Sequence, residues 1–148
     1  MAGKTDLISY CGAYCPDCPC YTHSTANLAR DLRSEFRRHK FDKVAPALAK
    51  IPKYNTFKYY DKAYEFLGAI AKMRCEDACK AGGGGAGCPI RKCAKKKRLP
   101  GCWKCDDFQD CKTLKTLEEY GDTNRLYLKN LRKLKRIGPA AFVKTKTT

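Results

Sequence analysis

Leu28, Leu32 and Phe36 recur four residues apart through residues 22–40, a stretch otherwise rich in charge. That repeat predicts an amphipathic helix, with Thr25 placed to cap it. Residues 44–50 predict a shorter helix carrying Pro46 in its first turn, broken by Ile51-Pro52. From residue 56 to 73, Phe57, Tyr60, Tyr64, Leu67 and Ala71 form one stripe, widened by Ala63, Phe66 and Ile70, so this helix is expected to be the core element. No period lasts between residues 75 and 111, where Gly and Pro recur. A last helix is predicted over residues 123–137, with Tyr127, Leu128, Leu131, Leu134 and Ile137 on one face and Lys129, Arg132, Lys133, Lys135 and Arg136 on the other; Gly138-Pro139 stops it. No segment reads as a strand.

These elements predict a mostly α fold, a small helical domain with an irregular, cysteine-rich, metal-stapled loop region. A chain of 148 residues lies in the single-domain range. The expected organisation is one domain over 1–148: an N-terminal cysteine cluster (1–20), a helical part (21–74), a cysteine-rich metal region (75–111), C-terminal helices (112–138) and a tail (139–148). The hydrophobic fraction of 43% fits a globular protein, and no apolar run approaches the ~20 residues needed to span a bilayer.

The 11 cysteines change the picture most. Ten fall in two clusters, Cys11, Cys15 and Cys18 near the start and Cys75, Cys79, Cys88, Cys93, Cys102, Cys105 and Cys111 later; Cys20 stands two residues beyond Cys18. An odd count argues against a complete disulfide framework, and MAGKTDLISY lacks a basic region leading into an apolar one, so a cytoplasmic protein is expected. In a reducing compartment, cysteine at this density points to zinc or iron-sulfur chemistry. Cys102-x2-Cys105 is the best pair, because a short turn lets two thiolates grip one tetrahedral ion. The run Gly82-Gly83-Gly84-Gly85 would let Cys75 and Cys79 come back to Cys88 and Cys93 as one site. A second site would use Cys102, Cys105 and Cys111 with a cysteine from the N-terminal cluster. About two zinc ions is the expectation, with an iron-sulfur cluster as the alternative, since Cys-Pro steps at Cys15, Cys18 and Cys88 suit such clusters and spacing does not separate zinc from iron. Cys11-x3-Cys15-x2-Cys18 has radical S-adenosylmethionine spacing, but the alternating strands and helices that such a match requires are missing.

The segments L-I-S-Y-C-G-A-Y-C-P-D-C, C-P-I-R-K-C-A (Cys88 to Ala94), C-W-K-C-D-D-F-x-x-C (Cys102 to Cys111) and the basic stretch from Gly121 to Gly138 resemble the domain-of-unknown-function 3795 family of small cysteine-rich proteins. The resemblance extends over nearly the whole chain and implies a metal-binding protein in which the ten clustered cysteines belong to the family pattern. Cys20 departs from it. No activity is implied.

Charge supplies a further reading. Thirty-one Lys and Arg against 15 Asp and Glu give +16, about half of which eight metal-bound thiolates would offset. Arg91, Lys92, Lys95, Lys96, Lys97 and Arg98, with the basic face of the last helix, are candidates for nucleic-acid phosphates, and Trp103 and the tyrosines for stacking on bases. The competing reading makes them a solvated face, with Arg91 and Lys92 neutralising thiolates. The glycine run has no following Lys-Ser or Lys-Thr and reads as a turning loop. His23 and His39 sit on a polar helix and are expected in solvent. No constellation for general acid and base catalysis is visible, which weighs against an enzyme, and a reactive cysteine would be one left outside the metal sites, Cys20 first. The expected function is a zinc-binding or adaptor module with a protein partner, with an iron-sulfur protein in electron transfer or metallocentre assembly, or a basic zinc module on nucleic acid, as alternatives.

Overall fold

The computed structural model describes residues 3–122 and 124–146. In chain order its α-helices are α1 (Pro19–Thr22), α2 (Ser24–Arg38), α3 (Phe41–Leu48), α4 (Tyr60–Ala71), α5 (Pro89–Lys96), α6 (Lys112–Glu119) and α7 (Leu126–Lys144), with 3-10 turns at Lys4–Leu7, Cys15–Asp17, Pro52–Tyr59, Cys79–Ala81 and Cys102–Lys104. The fold is mostly α, as the periodicities predict. Among the described residues the sole sheet-like pairing is an antiparallel bridge between Ile8 and Tyr14, and no helix is long and apolar enough to cross a membrane. The chain forms two compact units, Met1–Tyr21 with Cys75–Thr148, and Thr22–Arg74.

All 11 cysteines lie in the first unit. Its core joins Ile8, Tyr14, Ile90, Trp103, Phe108, Leu114, Tyr127, Leu128, Leu131, Leu134, Phe142 and Val143. Helix α7 supplies the largest share because Tyr127, Leu128, Leu131 and Leu134 fall at one, four and seven residues' spacing, and each such side chain gains about 1.5–3 kcal/mol when fully buried. Its start is capped by Asp122, whose carboxylate accepts from the amides of Leu126 at 2.7 Å and Tyr127 at 2.9 Å. Gly138 breaks the helical path with φ +78, as expected. The chain then resumes: Pro139 opens another helical segment that buries Phe142 and Val143, and Lys146 Nζ reaches Asp17 at 2.6 Å. The expected tail over 139–148 is therefore corrected through Lys146. Proline cannot continue a helix but readily starts one, so the stop signal was also a start signal.

Helix α5 corrects the expected aperiodic region. Cys88 takes the position before its first turn, Pro89 stands in that turn, and Ile90 and Ala94, one turn apart, face the interior.

In the second unit α2 packs against α4, but not through the predicted stripe. Leu28 is 72% and Leu32 43% exposed, whereas Ala26 and Ala29 are buried. The close approach explains this. Gly68 of α4 sits against the Arg33 guanidinium, where a Cβ would come within 3.1 Å, and the guanidinium lies 4.3 Å from the centre of the Tyr64 ring. Such spacing admits small residues and a flat cation and turns the leucines outward. Phe36 stacks on Phe41 at 5.0 Å, and Phe41 on Phe57 at 6.4 Å. Three further expectations are corrected here. The helix starts at Ser24 after a left-handed His23, leaving Thr25 inside the first turn rather than at the cap; Pro46 is interior to α3, not in its first turn; and α4 begins at Tyr60 with Gly68 its sole buried residue, so it is not the core element.

Candidate metal centre

Cys102–Lys104 forms a single 3-10 turn in which Cys105 N–H donates to the Cys102 carbonyl at 2.9 Å. Two features hold the turn in place. Cys102 N–H donates to the Tyr10 carbonyl at 2.8 Å, and Trp103 is sunk into the core beneath Gly101. Cys93 comes from the third quarter of α5, and Cys111 stands at the position before α6. Cys93, Cys102, Cys105 and Cys111 thereby line one cavity of about 140 Å³, whose remaining walls include Leu99, Phe108 and Leu114. Burial, followed by the proximity of Cys11, Cys111, Cys105 and Cys93, pushes the Cys102 thiol up to about 12. Lys97 Nζ lies 3.5 Å from Cys105 Sγ, and that contact raises the ammonium above its ordinary value.

The remaining cysteines gather between the two ends of the first unit. Cys79 N–H donates to the Cys15 sulfur, and Cys75 N–H donates to the Cys20 carbonyl at 2.9 Å. Burial raises the Cys15 thiol, with Cys79, Cys18 and Cys75 next to it; burial also raises Cys20, beside Cys18 and Cys75. Cys11 is raised by burial despite its contact with Ser9 Oγ at 3.1 Å, and it feels Cys79 and Cys88. The expected quartet of Cys75, Cys79, Cys88 and Cys93 is thus divided. Cys93 lines the cavity with Cys102, Cys105 and Cys111, whereas Cys88, with non-helical backbone just before α5, borders a different recess beside Pro89, Ile90 and Leu117. The loop before that helix is also fixed: Arg91 donates to the carbonyls of Cys79, Gly83 and Gly85.

All 11 cysteines are half-buried thiols. The donor chemistry fits a thiophilic ion such as zinc or iron, which thiolates bind and which a shared, partly apolar cavity would shield. Among the described residues, however, no three His, Cys, Asp or Glu side chains are drawn close enough together in this geometry to hold an ion. His23 and His39 both belong to the second unit, and His39 stands beside Glu35 at 3.5 Å.

The basic run separates by role. Arg91 braces backbone carbonyls, Lys97 faces a sulfur, and Lys92, Lys95, Lys96 and Arg98 are exposed. Lys97 as the cysteine partner was missed by the sequence reading, which placed Arg91 and Lys92 there; its spacing of four from Cys93, one helical turn, was the available signal. Trp103 is 2% exposed and is not positioned to stack on bases.

No curated protein and no solved structure matches the chain. Residues 7–116 match a family described as "Protein of unknown function (DUF3795)", a match that takes in all 11 cysteines and ends before α7. The resemblance read from the cysteine motifs is thereby borne out, and the chain belongs to the DUF3795 family.

Proposed function

We propose that this chain is a metal-binding protein that holds zinc through cysteine thiolates and acts as a binding or adaptor module. The observation that carries the reading is the single cavity shared by Cys93, Cys102, Cys105 and Cys111, four thiols delivered by α5, a 3-10 turn and the start of α6. Four is the number of ligands a closed tetrahedral zinc site takes, and an all-thiolate set leaves no open position for a reacting water. The site is therefore structural: rotation of the four side chains toward a common ion would lock α5 and α6 to the 3-10 turn, and binding energy would enter the folding energy of the first unit. Cys11, Cys15, Cys18, Cys75, Cys79 and Cys88 supply donors for a second ion, joining the N-terminal segment to the chain after residue 75.

Elemental analysis of protein purified without air tests the reading. About two zinc ions per chain, falling by about one in Cys102→Ser combined with Cys111→Ser, is the expected result. Iron with acid-labile sulfide in place of zinc would overturn the zinc reading and leave an iron-sulfur protein.

A further inference from the structure

Helix α7 turns four cations onto one stretch of surface. Among the described residues Lys129, Arg132, Lys133 and Arg136 alone line a recess of about 380 Å³, with no carboxylate and no apolar side chain bordering it. Their spacing, at positions i, i+3, i+4 and i+7, places them on one helical face about 10.5 Å long. Among the described residues none of the four is in an ion pair. Arg132 donates to Gln109 Oε1 at 3.2 Å and Lys133 lies 5.9 Å from the centre of the Phe142 ring, which steadies two of the charges without neutralising them. Like charges at these spacings repel, and a bound polyanion would relieve that repulsion.

We propose that this recess binds the phosphodiester backbone of nucleic acid without reading its sequence. Successive phosphates of a strand rise about 3.4 Å, so a row of cations about 10.5 Å long spans about three steps and addresses about four phosphates. Among the described residues no aromatic ring borders the recess, so no stacking platform for bases accompanies the cations, and a row of like charges on one helical face matches a row of phosphates. An anionic membrane surface is disfavoured because a surface-lying helix needs apolar side chains to insert, whereas Leu128, Leu131 and Leu134 of α7 are buried in the core. The recess lies outside residues 7–116, the stretch that the family match spans. The proposal does not rest on the identity of the metal.

Fluorescence anisotropy with a labelled 25-base-pair DNA duplex, titrated across potassium chloride concentrations, tests it. Four phosphate contacts predict that log K falls with log salt with a slope about 3.6 units steeper than in Lys129→Gln, Arg132→Gln, Lys133→Gln, Arg136→Gln, and that changing the duplex sequence leaves K unaltered. A charge-matched control, Lys92→Gln, Lys95→Gln, Lys96→Gln, Lys104→Gln, should keep most of the slope. Lys129→Gln with Arg136→Gln replaces the two side chains that make no hydrogen bond or ion pair among the described residues, and should lose about half of the slope difference with an unchanged melting curve. Equal loss of slope in the control would overturn the proposal in favour of diffuse attraction. So would absence of duplex binding, or recess-dependent binding to phosphatidylserine vesicles alone.

Discussion

Asn130 donates its side-chain amide to the carbonyl of Gly12 at 3.0 Å, a buried bond that joins positions 118 residues apart. It holds the first cysteine-bearing loop against α7. Asn130→Ala would strand the Gly12 carbonyl in the interior and lower stability by about 1–3 kcal/mol. Gly12 adopts φ +86, and a Cβ there would come within 3.1 Å of Leu131, so Gly12→Ala adds about 1–3 kcal/mol of backbone strain to a crowded contact. Denaturant midpoints under reducing conditions, followed by tryptophan fluorescence, measure both. A loss below about 0.5 kcal/mol in each would show that the loop is held elsewhere.

Trp103 is the chain's single tryptophan, so its fluorescence reports on the first unit. Gly101 has extended backbone that any residue adopts, but a Cβ at this position would fall on the Trp103 ring. Gly101→Ala should therefore displace the indole, shift its emission to the red and destabilise by about 1–3 kcal/mol. An unshifted emission maximum in the variant would contradict this packing.

Tyr127 donates its hydroxyl to Glu118 Oε1 at 2.9 Å, and burial, followed by that carboxylate, pushes the phenol up to about 12. The sign follows from the two states. Below pH ~10 the phenol is neutral in both the folded and unfolded chain, and its contribution to stability is complete. As pH rises from ~10 toward 12 the unfolded chain releases the proton first, so stability falls through that window. Tyr127→Phe should reduce stability by about 0.5–1.5 kcal/mol at pH 8 through the lost hydrogen bond. It should also flatten the decline between pH ~10 and ~12, read as the difference between wild-type and variant unfolding midpoints; parallel declines would contradict the assignment.

Arg91 and Gly83 act on the same loop. The guanidinium donates to the carbonyls of Cys79, Gly83 and Gly85, and a Cβ on Gly83 would fall on the Asp77 carbonyl oxygen. Arg91→Lys, which loses the fork of donors, should increase amide hydrogen exchange across residues 79–87 while leaving exchange in α7 unchanged. Gly83→Ala should produce a larger increase, because the obstruction is backbone and cannot rotate away. Uniform exchange changes across the unit would mean that Arg91 supports the whole unit rather than this loop.

The helical class was readable because long periodic segments announce themselves. In α7 four core residues recur within eight positions, and the structure buries all of them. Helix α5 has Ile90 and Ala94 as its buried pair in eight residues, too few to form a period, and its opening Pro89 looks like a breaker when read in isolation. The face of α2 was misread for a different reason. Hydropathy favours Leu28 and Leu32, but the distance between helices is set by Gly68 and satisfied by Ala26 and Ala29, which carry little hydropathic weight. For the candidate site, cysteine spacing identifies ligand-type residues, yet it does not tell which recess each one borders. The separation of Cys88 from Cys93 depends on a helix that spacing alone does not disclose, and the burial of Trp103 on core packing that its exposed-looking neighbours Lys104 and Cys105 conceal.

The first unit is assembled from two stretches, and Cys75 N–H meets the Cys20 carbonyl where the intervening 22–74 segment leaves and returns. During synthesis this imposes an order. At about 5–20 residues per second, the N-terminal cysteines emerge several seconds before the partners they need, while the intervening segment has all of its own contacts available earlier. The nascent chain therefore passes through an interval in which Cys11, Cys15, Cys18 and Cys20 are exposed thiols, open to oxidation or to capture by whatever ion the compartment supplies. The same junction makes the intervening segment a cassette: its two ends are already stitched together by backbone, so replacing it with a tight turn leaves the cysteine-bearing unit topologically whole.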